Sequence, residues 1–439
     1  MMRSCLSLPK MSFLLRTSRP ALHSHAYQKF DGVVRAYLDY LTSMGLTDNQ
    51  WHQATLPIKM GGLGLRKVEH HAEAAFLTAK AMGHDLIEAI TRSTRRASGA
   101  AALEENTQSN RDTDNKEALE ALNNRVQEPY SGDTLVGRTQ KSISADIDVF
   151  DAKRLEETIT GDHEKARMHA LTMTHAGDWV MAIPSKSLNL HLGNRDFRVA
   201  IRHRLGMRLY GEDTACKFCD RMSDRYGRHS LVCTKQTGAW IHRHNSLRDS
   251  LFVVAQSAGL GPTKEEMGLI SDRQDKPGDI TIPQWKGGRG AAFDVAVTST
   301  DQVSTLKQAS KQAGVAARRK YTSKMNKAKD LVEAENHSFH PLIIETYGGW
   351  HPESELVIRE LARRMAANLK RDEEETIRHV FQRLSMLLVR GNATLFSRRT
   401  QAPAPAHTDG DDDGSGEQHD TGILEPSEAA RARHQADFE

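Results

Sequence analysis

The chain has 439 residues, 38% of them hydrophobic and 27% charged, which is enough for two or three domains separated by solvated segments. Its net charge of +3 hides an asymmetry: residues 401–439 hold ten acids and two bases, leaving +11 on the remainder. No apolar run approaches the roughly 20 residues that span a bilayer, so no membrane partner is expected, and the basic body suits a polyanion such as nucleic acid.

The first thirty residues contain Arg and Ser but no acid, a composition shared by mitochondrial presequences. Residues 28–90 then read as helical. Phe30, Val33, Val34, Tyr37, Leu38 and Leu41 recur at three- and four-residue spacing, the stripe of an amphipathic helix. Pro57 and the Gly61-Gly62-Leu63-Gly64-Leu65 turn interrupt the pattern, and a second helix is expected from about Val68 to Ile90. Residues 91–145 are rich in Ser, Thr, Asn, Arg and Glu and read as a polar linker with one short helix near Glu117–Val126. Helical signal returns from Ile147 to about His175. A further helix carries Phe197, Ile201 and Leu205 on one side.

Cys216, Cys219 and Cys233 fall within eighteen residues, with Cys5 far away, an arrangement unlike a secreted disulfide framework. Cys216-Lys217-Phe218-Cys219 is followed after nine residues by His229 and after three more by Cys233. The first pair can turn both sulfurs onto one ion. His229 and Cys233, four apart, share a face of a helical turn. Three thiolates and one imidazole make a structural Zn²⁺ site with no open position for water. The bland alternative is three buried cysteines beside an incidental histidine. His242 and His244 are nearby rivals for the fourth position, and Arg243 and His244 are read as contacts to nucleic acid.

Ile280-Thr281-Ile282 is a short strand that Pro283 is expected to end, and Ala292–Thr298 forms a second after the Gly287-Gly288-Arg289-Gly290 turn. A charged helix from about Ser304 to Glu335, a third strand at His340–Thr346 and helices over 353–390 complete an α/β core. Asp279 stands where the first strand begins and Asp294 lies inside the second, fourteen residues intervening. A hairpin can bring them together as a hard-oxygen site for Mg²⁺ or Mn²⁺, an ion able to polarise a phosphodiester and activate a water. Nucleases of this kind place a lysine two residues after the second acid, where this chain has Ala296. The cation must come from elsewhere, with Lys320 and Lys311 as the candidates. Arg318 and Arg319 suit phosphate clamping. Glu266 is a candidate further ligand, against the plainer reading of an exposed acid. Glu345, in the third strand, either supports the site or pairs with an arginine. The Pro-, Asp- and Gly-rich tail 401–439 reads as disordered.

Together these motifs resemble the C-terminal part of non-LTR retrotransposon polyproteins: the Cys-Cys-His-Cys knuckle, Lys276-Pro277-Gly278-Asp279 and Asp294 in Phe293-Asp294-Val295-Ala296-Val297. Asp178-Trp179 through Pro184, Phe197 through Gly206, Arg319-Lys320-Tyr321 and Ile344-Glu345-Thr346-Tyr347-Gly348-Gly349-Trp350 add to the likeness. Trp51 through Met60 looks like the segment after a reverse transcriptase thumb, and Ser7 through Thr17 like the piece before it, which displaces the presequence reading. The likeness covers roughly residues 4–370.

The resemblance implies an α+β multidomain chain: a thumb-like helical remnant at 1–90, the linker at 91–145, a helical region at 146–210, the zinc knuckle at 211–250, a restriction-like PD-(D/E)XK endonuclease core at 251–390 and a disordered acidic tail at 391–439. It implies nicking of target DNA to prime reverse transcription, with Asp279 and Asp294 holding the catalytic metal and Lys320 as a lysine displaced onto the helix. DNA, element RNA and a reverse transcriptase are the expected partners, in the nucleus. Two departures stand out. The usual Pro-Asp is Pro-Gly-Asp, and the polymerase core is missing, since paired aspartates occur only at Asp411–Asp413, so no reverse transcription is expected from this chain. The alternative is a nucleic-acid-binding remnant without catalysis.

Overall fold

The computed structural model of the chain describes residues 2–98, 102–270 and 276–399, and the chain divides at Ile159/Thr160 into two compact units. Of the disordered tail expected at 391–439, residues 400–439 lie outside the described residues, and 391–397 instead belong to a buried helix.

The first unit is helical: α1 Leu8–Thr17, α2 Pro20–Thr42, α3 Asp48–Thr55, α4 Val68–Ser98, α5 Ala102–Asn123, α6 Gly132–Leu135 and α7 Gln140–Thr158. Local chemistry sets the boundaries. Thr47 and Gln50 form a capping box at the start of α3, and Gly61, at φ +87°, ends the turn after Pro57. Gly62 must be glycine, because a Cβ there would lie 1.9 Å from the Leu56 carbonyl oxygen. Of the apolar stripe on α2, Val34 and Leu38 are buried whereas Val33 is 59% exposed. The turn faces its neighbours over a narrower arc than the spacing suggested.

The linker expectation for 91–145 is corrected. Ala118, Leu122, Val126, Tyr130 and Leu135 are buried with Phe76, Leu77, Ile143 and Ile147 in one core. Polar residues dominate the segment, but its few apolar ones recur at i, i+4 and i+8 and suffice to dock α5. The unit boundary also assigns 146–159 to this half, not to the helical region ending at 210.

The second unit runs α8 Asp162–Leu171, α9 Asp178–Met181, α10 Asn194–Arg204, β1 Thr214–Ala215, β2 Met222–Ser223, α11 Arg228–Val232, α12 Thr237–Ser257, β3 Thr263–Lys264, β4 Ile280–Lys286, β5 Arg289–Thr298, α13 Val303–Ala309, α14 Val315–Ala334, β6 His337–Glu345, α15 Pro352–Leu369 and α16 Glu373–Ser397. The main sheet has the order β3-β4-β5-β6, antiparallel except for the parallel β5–β6 pair.

Strand alternation divides the side chains between two layers. Ile280, Ile282, Phe293, Val295, Leu342 and Ile344 face a core completed by α12, α15 and α16. Ala292, Ala296, Phe339 and Ile343 face α14, meeting Val332, Ala317 and Tyr321. Pro283 does not end β4. It sits in the strand, where the register with β5 shifts between Ile282 and Lys286, and such an irregularity spares it a ladder donor. The helix expected from 304 to 335 is broken by Gly314 at φ +72°. The core does not stop at 390 either: Ala393, Leu395 and Phe396 are buried with Tyr210 and Leu231.

Candidate functional site

The knuckle is built by a two-residue hairpin and a short helix. Thr214 and Ala215 pair with Ser223 and Met222, and Asp220 turns the chain at φ +57° so that Cys216 N–H reaches the Arg221 carbonyl at 2.7 Å. The Asp224 carboxylate accepts the Tyr226 and His229 amides at 2.9 Å each, which fixes the start of α11. The four side chains then converge. Cys216 Sγ lies 3.8 Å from Cys233 Sγ, Cys233 Sγ 3.6 Å from Cys219 Sγ, and Cys219 Sγ 3.3 Å from His229 Nε2. Tetrahedral zinc with bonds of roughly 2.3 Å to sulfur and 2.0 Å to nitrogen separates its ligands by about 3.6–3.8 Å. The donor set fits zinc, and Cys216, Cys219, His229 and Cys233 could hold it. Burial pushes the Cys233 thiol up, and a bound cation would favour its thiolate. His242 is exposed and His244 is engaged elsewhere, which leaves His229 as the fourth donor.

Asp279 and Asp294 are brought side by side. The Asp279 amide donates to the Phe293 carbonyl at 2.8 Å and its Oδ2 accepts the Val295 N–H at 2.7 Å, straddling Asp294. Gly278 makes this possible: a Cβ there would sit 3.0 Å from the Phe293 carbonyl oxygen. The glycine inserted between proline and aspartate is therefore the residue over which β5 passes closely. Alternation along β5 puts Asp294 between Ala292 and Ala296, on the layer facing α14.

The cation ion-paired with Asp294 is Lys324, whose Nζ is 2.6 Å from Asp294 Oδ2, while Lys320 feels the Asp294 charge without an ion pair to it. Lys320, one turn earlier, is half-buried, and its pKa is lowered by burial and by Lys324. Lys311 is exposed. Ala296, in the place of the usual lysine, packs with Ala317 and Ile343. A charge at 296 would be buried in that contact, and the helix supplies it from outside instead. Burial raises the Asp294 pKa and the neighbouring Asp279 charge adds to it, while Lys324 and His244 oppose the rise.

The remaining assignments separate. His244 does not present itself to phosphate: its Nε2 meets Asp279 Oδ1 at 3.1 Å, and that bond raises its pKa. Arg243 is corrected as a nucleic-acid contact. It is 4% exposed, donates to Asn392 Oδ1 at 2.7 Å, and burial lowers it to about 10. Arg318 and Arg319 are exposed on α14, Arg319 also donating to the Ser304 carbonyl at 2.8 Å. Glu266 accepts from Thr263 Oγ1 at 2.8 Å. Its neighbour Glu265 is ion-paired to Arg248 and Lys276, and its amide donates to the Asp279 carbonyl at 3.0 Å. Glu345 is fully buried beneath the first turn of α14. Among the described residues, the Cys-Cys-His-Cys group alone gathers three or more Cys, His, Asp or Glu donors within 4.8 Å.

Sequence reasoning missed Lys324. Its spacing of four from Lys320 was a usable signal, because the two share one helix face.

No protein-family model and no curated protein matches the chain. No helix among the described residues is long and apolar enough to cross a membrane.

Proposed function

We propose that the second unit is a metal-dependent DNA endonuclease of the restriction-like kind found at the end of non-LTR retrotransposon polyproteins. The observation that carries this reading is the juxtaposition of Asp279, Asp294 and Lys324 on the face of the mixed sheet that α14 covers. Two carboxylates are a hard donor set that suits Mg²⁺ or Mn²⁺. A bound divalent ion would supply Lewis-acid polarisation of a phosphodiester.

The chain's own groups do the rest. Asp279 is held in place by the Val295 amide and His244, so its carboxylate is fixed before substrate arrives. Lys324 places an ammonium where charge builds on the scissile phosphate, and Lys320 extends the positive field along the same face. Arg318 and Arg319, exposed at the start of α14, are suited to the DNA backbone. The zinc knuckle is structural in this scheme and presents Lys217 and Arg221 on its exposed loop. Nicking of chromosomal DNA to prime reverse transcription, with element RNA and a polymerase as partners, would place the protein in the nucleus.

The test is nicking of supercoiled plasmid with Mg²⁺, with and without EDTA, by the wild type and by Asp279→Ala and Asp294→Ala. Metal-dependent nicking lost in both variants supports the reading; nicking that survives both substitutions would exclude it. A second reading, a nucleic-acid-binding remnant, is favoured by one observation: the carboxylates already have protein partners in His244 and Lys324. It predicts salt-sensitive binding with no scission.

A further inference from the structure

Helix α14 starts under unusual conditions. Its N-cap is Gly314 at φ +72°, which offers no side-chain acceptor, and its first turn contains no acid. The first N–H groups of a helix have no intrahelical partner, and here Ala316 and Ala317 are 2% and 1% exposed, beyond the reach of bulk water. The acceptor comes from another element. Glu345, last residue of β6 and fully buried, accepts the Ala317 N–H on Oε1 at 3.0 Å and is also bonded to the Ala316 amide. Its own backbone is fixed, with its N–H on the Gly349 carbonyl at 2.8 Å and Thr298 as its register partner on β5. Lys320 and Lys324 follow Ala317 by three and seven residues, so the clasped amide and both lysines lie along one stripe of the helix.

We propose that Glu345 is a positioning residue: it clasps the first turn of α14 and thereby sets where Lys324 stands against Asp294. The proposal rests on the nuclease reading of Asp294 and Lys324. One sheet carries both the clasp, at the end of β6, and the acid, in β5, so strand pairing transmits the register from one to the other. A carboxylate at a helix N-terminus is favoured by the peptide dipoles as well as by the hydrogen bonds.

The charge of the clasp is finely poised. Burial raises the Glu345 pKa to about 7; Arg318 and the two amides of α14 oppose the rise, and Asp301 adds to it. Asp301 is itself held by His163 at 2.8 Å and lies 3.9 Å from Arg228. Glu345 Oε2 finds no hydrogen-bond partner among the described residues. The group therefore exchanges between a carboxylate and a carboxylic acid near neutrality, and the carboxylate is the stronger acceptor for the helix.

The experiment uses the full chain as wild type, Glu345→Gln, Glu345→Ala, Lys324→Ala and the double variant Glu345→Ala/Lys324→Ala. Hydrogen exchange of the α14 amides and the lysine side-chain signals are followed from pH 6 to 8.5, with plasmid nicking in Mg²⁺ as a separate readout. In Glu345→Ala, exchange at Ala316 and Ala317 should speed up by about 10-fold or more, and the Lys324 signal should move toward that of an exposed lysine. The single-turnover nicking rate should fall by about 10-fold while DNA affinity stays within about 2-fold. Glu345→Gln should keep the protection and lose the pH dependence near 7. The double variant should be no slower than Lys324→Ala, because Glu345 acts through that lysine.

Unchanged α14 protection and an unmoved Lys324 signal in Glu345→Ala would overturn the proposal, as would a further loss of rate in the double variant. Should Glu345→Ala fail to fold, the Glu345→Gln pH arm decides: a wild-type pH dependence retained in that variant overturns the proposal. Wild-type protein that never nicks defeats the nuclease reading alone, and the exchange and lysine signals still judge the clasp.

Discussion

At the scale of single residues, the Cys-Cys-His-Cys cluster and the aspartate pair differ in how far spacing alone could reveal them. The convergence of Cys216, Cys219, His229 and Cys233 was legible, because a two-residue gap and a four-residue gap each correspond to one local turn. The aspartates were legible as a pair because a hairpin returns on itself. For Lys324, spacing offered only a shared face with Lys320, since which turn of a helix meets a strand depends on how the helix lies on the sheet. Arg243 was misassigned for a related reason. It neighbours His244 in sequence, but a 100° step around α12 turns it inward onto Asn392. Replacing Lys324 with Ala should lower the nicking rate by about 10²–10³-fold with little change in DNA binding, as expected for a group that stabilises developing charge. Rates and affinities measured on the same preparation check this. Gly278→Val should be nearly as damaging, because its side chain would meet β5 and displace Asp279; a variant that nicks at wild-type rate would refute that account of the Pro-Gly-Asp spacing.

At the scale of elements, the Cys-Cys-His-Cys hairpin has the ligands for an ion to hold it, and the helices are tied by buried polar pairs. Cys216→Ser, or treatment with a strong chelator, should unfold the 211–233 segment and lower the melting temperature, with near one zinc per chain lost by elemental analysis. In the first unit, α4 is tied to α7 by His70 Nδ1 on Asp151 Oδ2 at 2.7 Å and by His71 Nδ1 and Ser144 Oγ at 3.2 Å. Such long-range pairings leave no trace in a local pattern. That is why 91–145 read as a linker: its apolar residues are sparse, and only the partner helices turn them into a core. Gly314 illustrates the converse, since one glycine in a long charged run was too weak a signal to divide α13 from α14.

At the scale of the whole chain, two pH effects of opposite sign are built in. Burial lowers His71 and His203 from the usual 6.5 to about 3, so both are neutral when folded. Below pH 6.5 the unfolded chain takes up protons that the folded one refuses, and stability falls by up to about 1.4 kcal/mol per pH unit per group. Glu345 acts the other way: with its folded pKa near 7 against 4.5, the stability its protonated form contributes is lost as pH rises from 4.5 through 7. Denaturant melts from pH 4.5 to 8 should show an acid-side loss that His71→Asn lessens, and a neutral-side loss that Glu345→Gln removes. For DNA binding, removing Arg318 or Arg319 should reduce the slope of log affinity against log salt by about one each; equal slopes in wild type and variants would move the phosphate path away from α14. The division between units, at 159 instead of 145, could not be read locally, because helices lie on both sides of it.

The last turn of α16 has a practical corollary for anyone cutting the gene. Arg399, just past α16, stacks over Tyr210 at 4.0 Å and donates to the carbonyls of Asp224 and Glu212 and to Thr214 Oγ1, so the end of α16 is a buckle on the Cys-Cys-His-Cys hairpin. A fragment terminated at 390, where composition suggests the core is finished, would discard that buckle together with Phe396. Such a fragment should purify as aggregate or without its metal, whereas one ending at 399 should stay monodisperse.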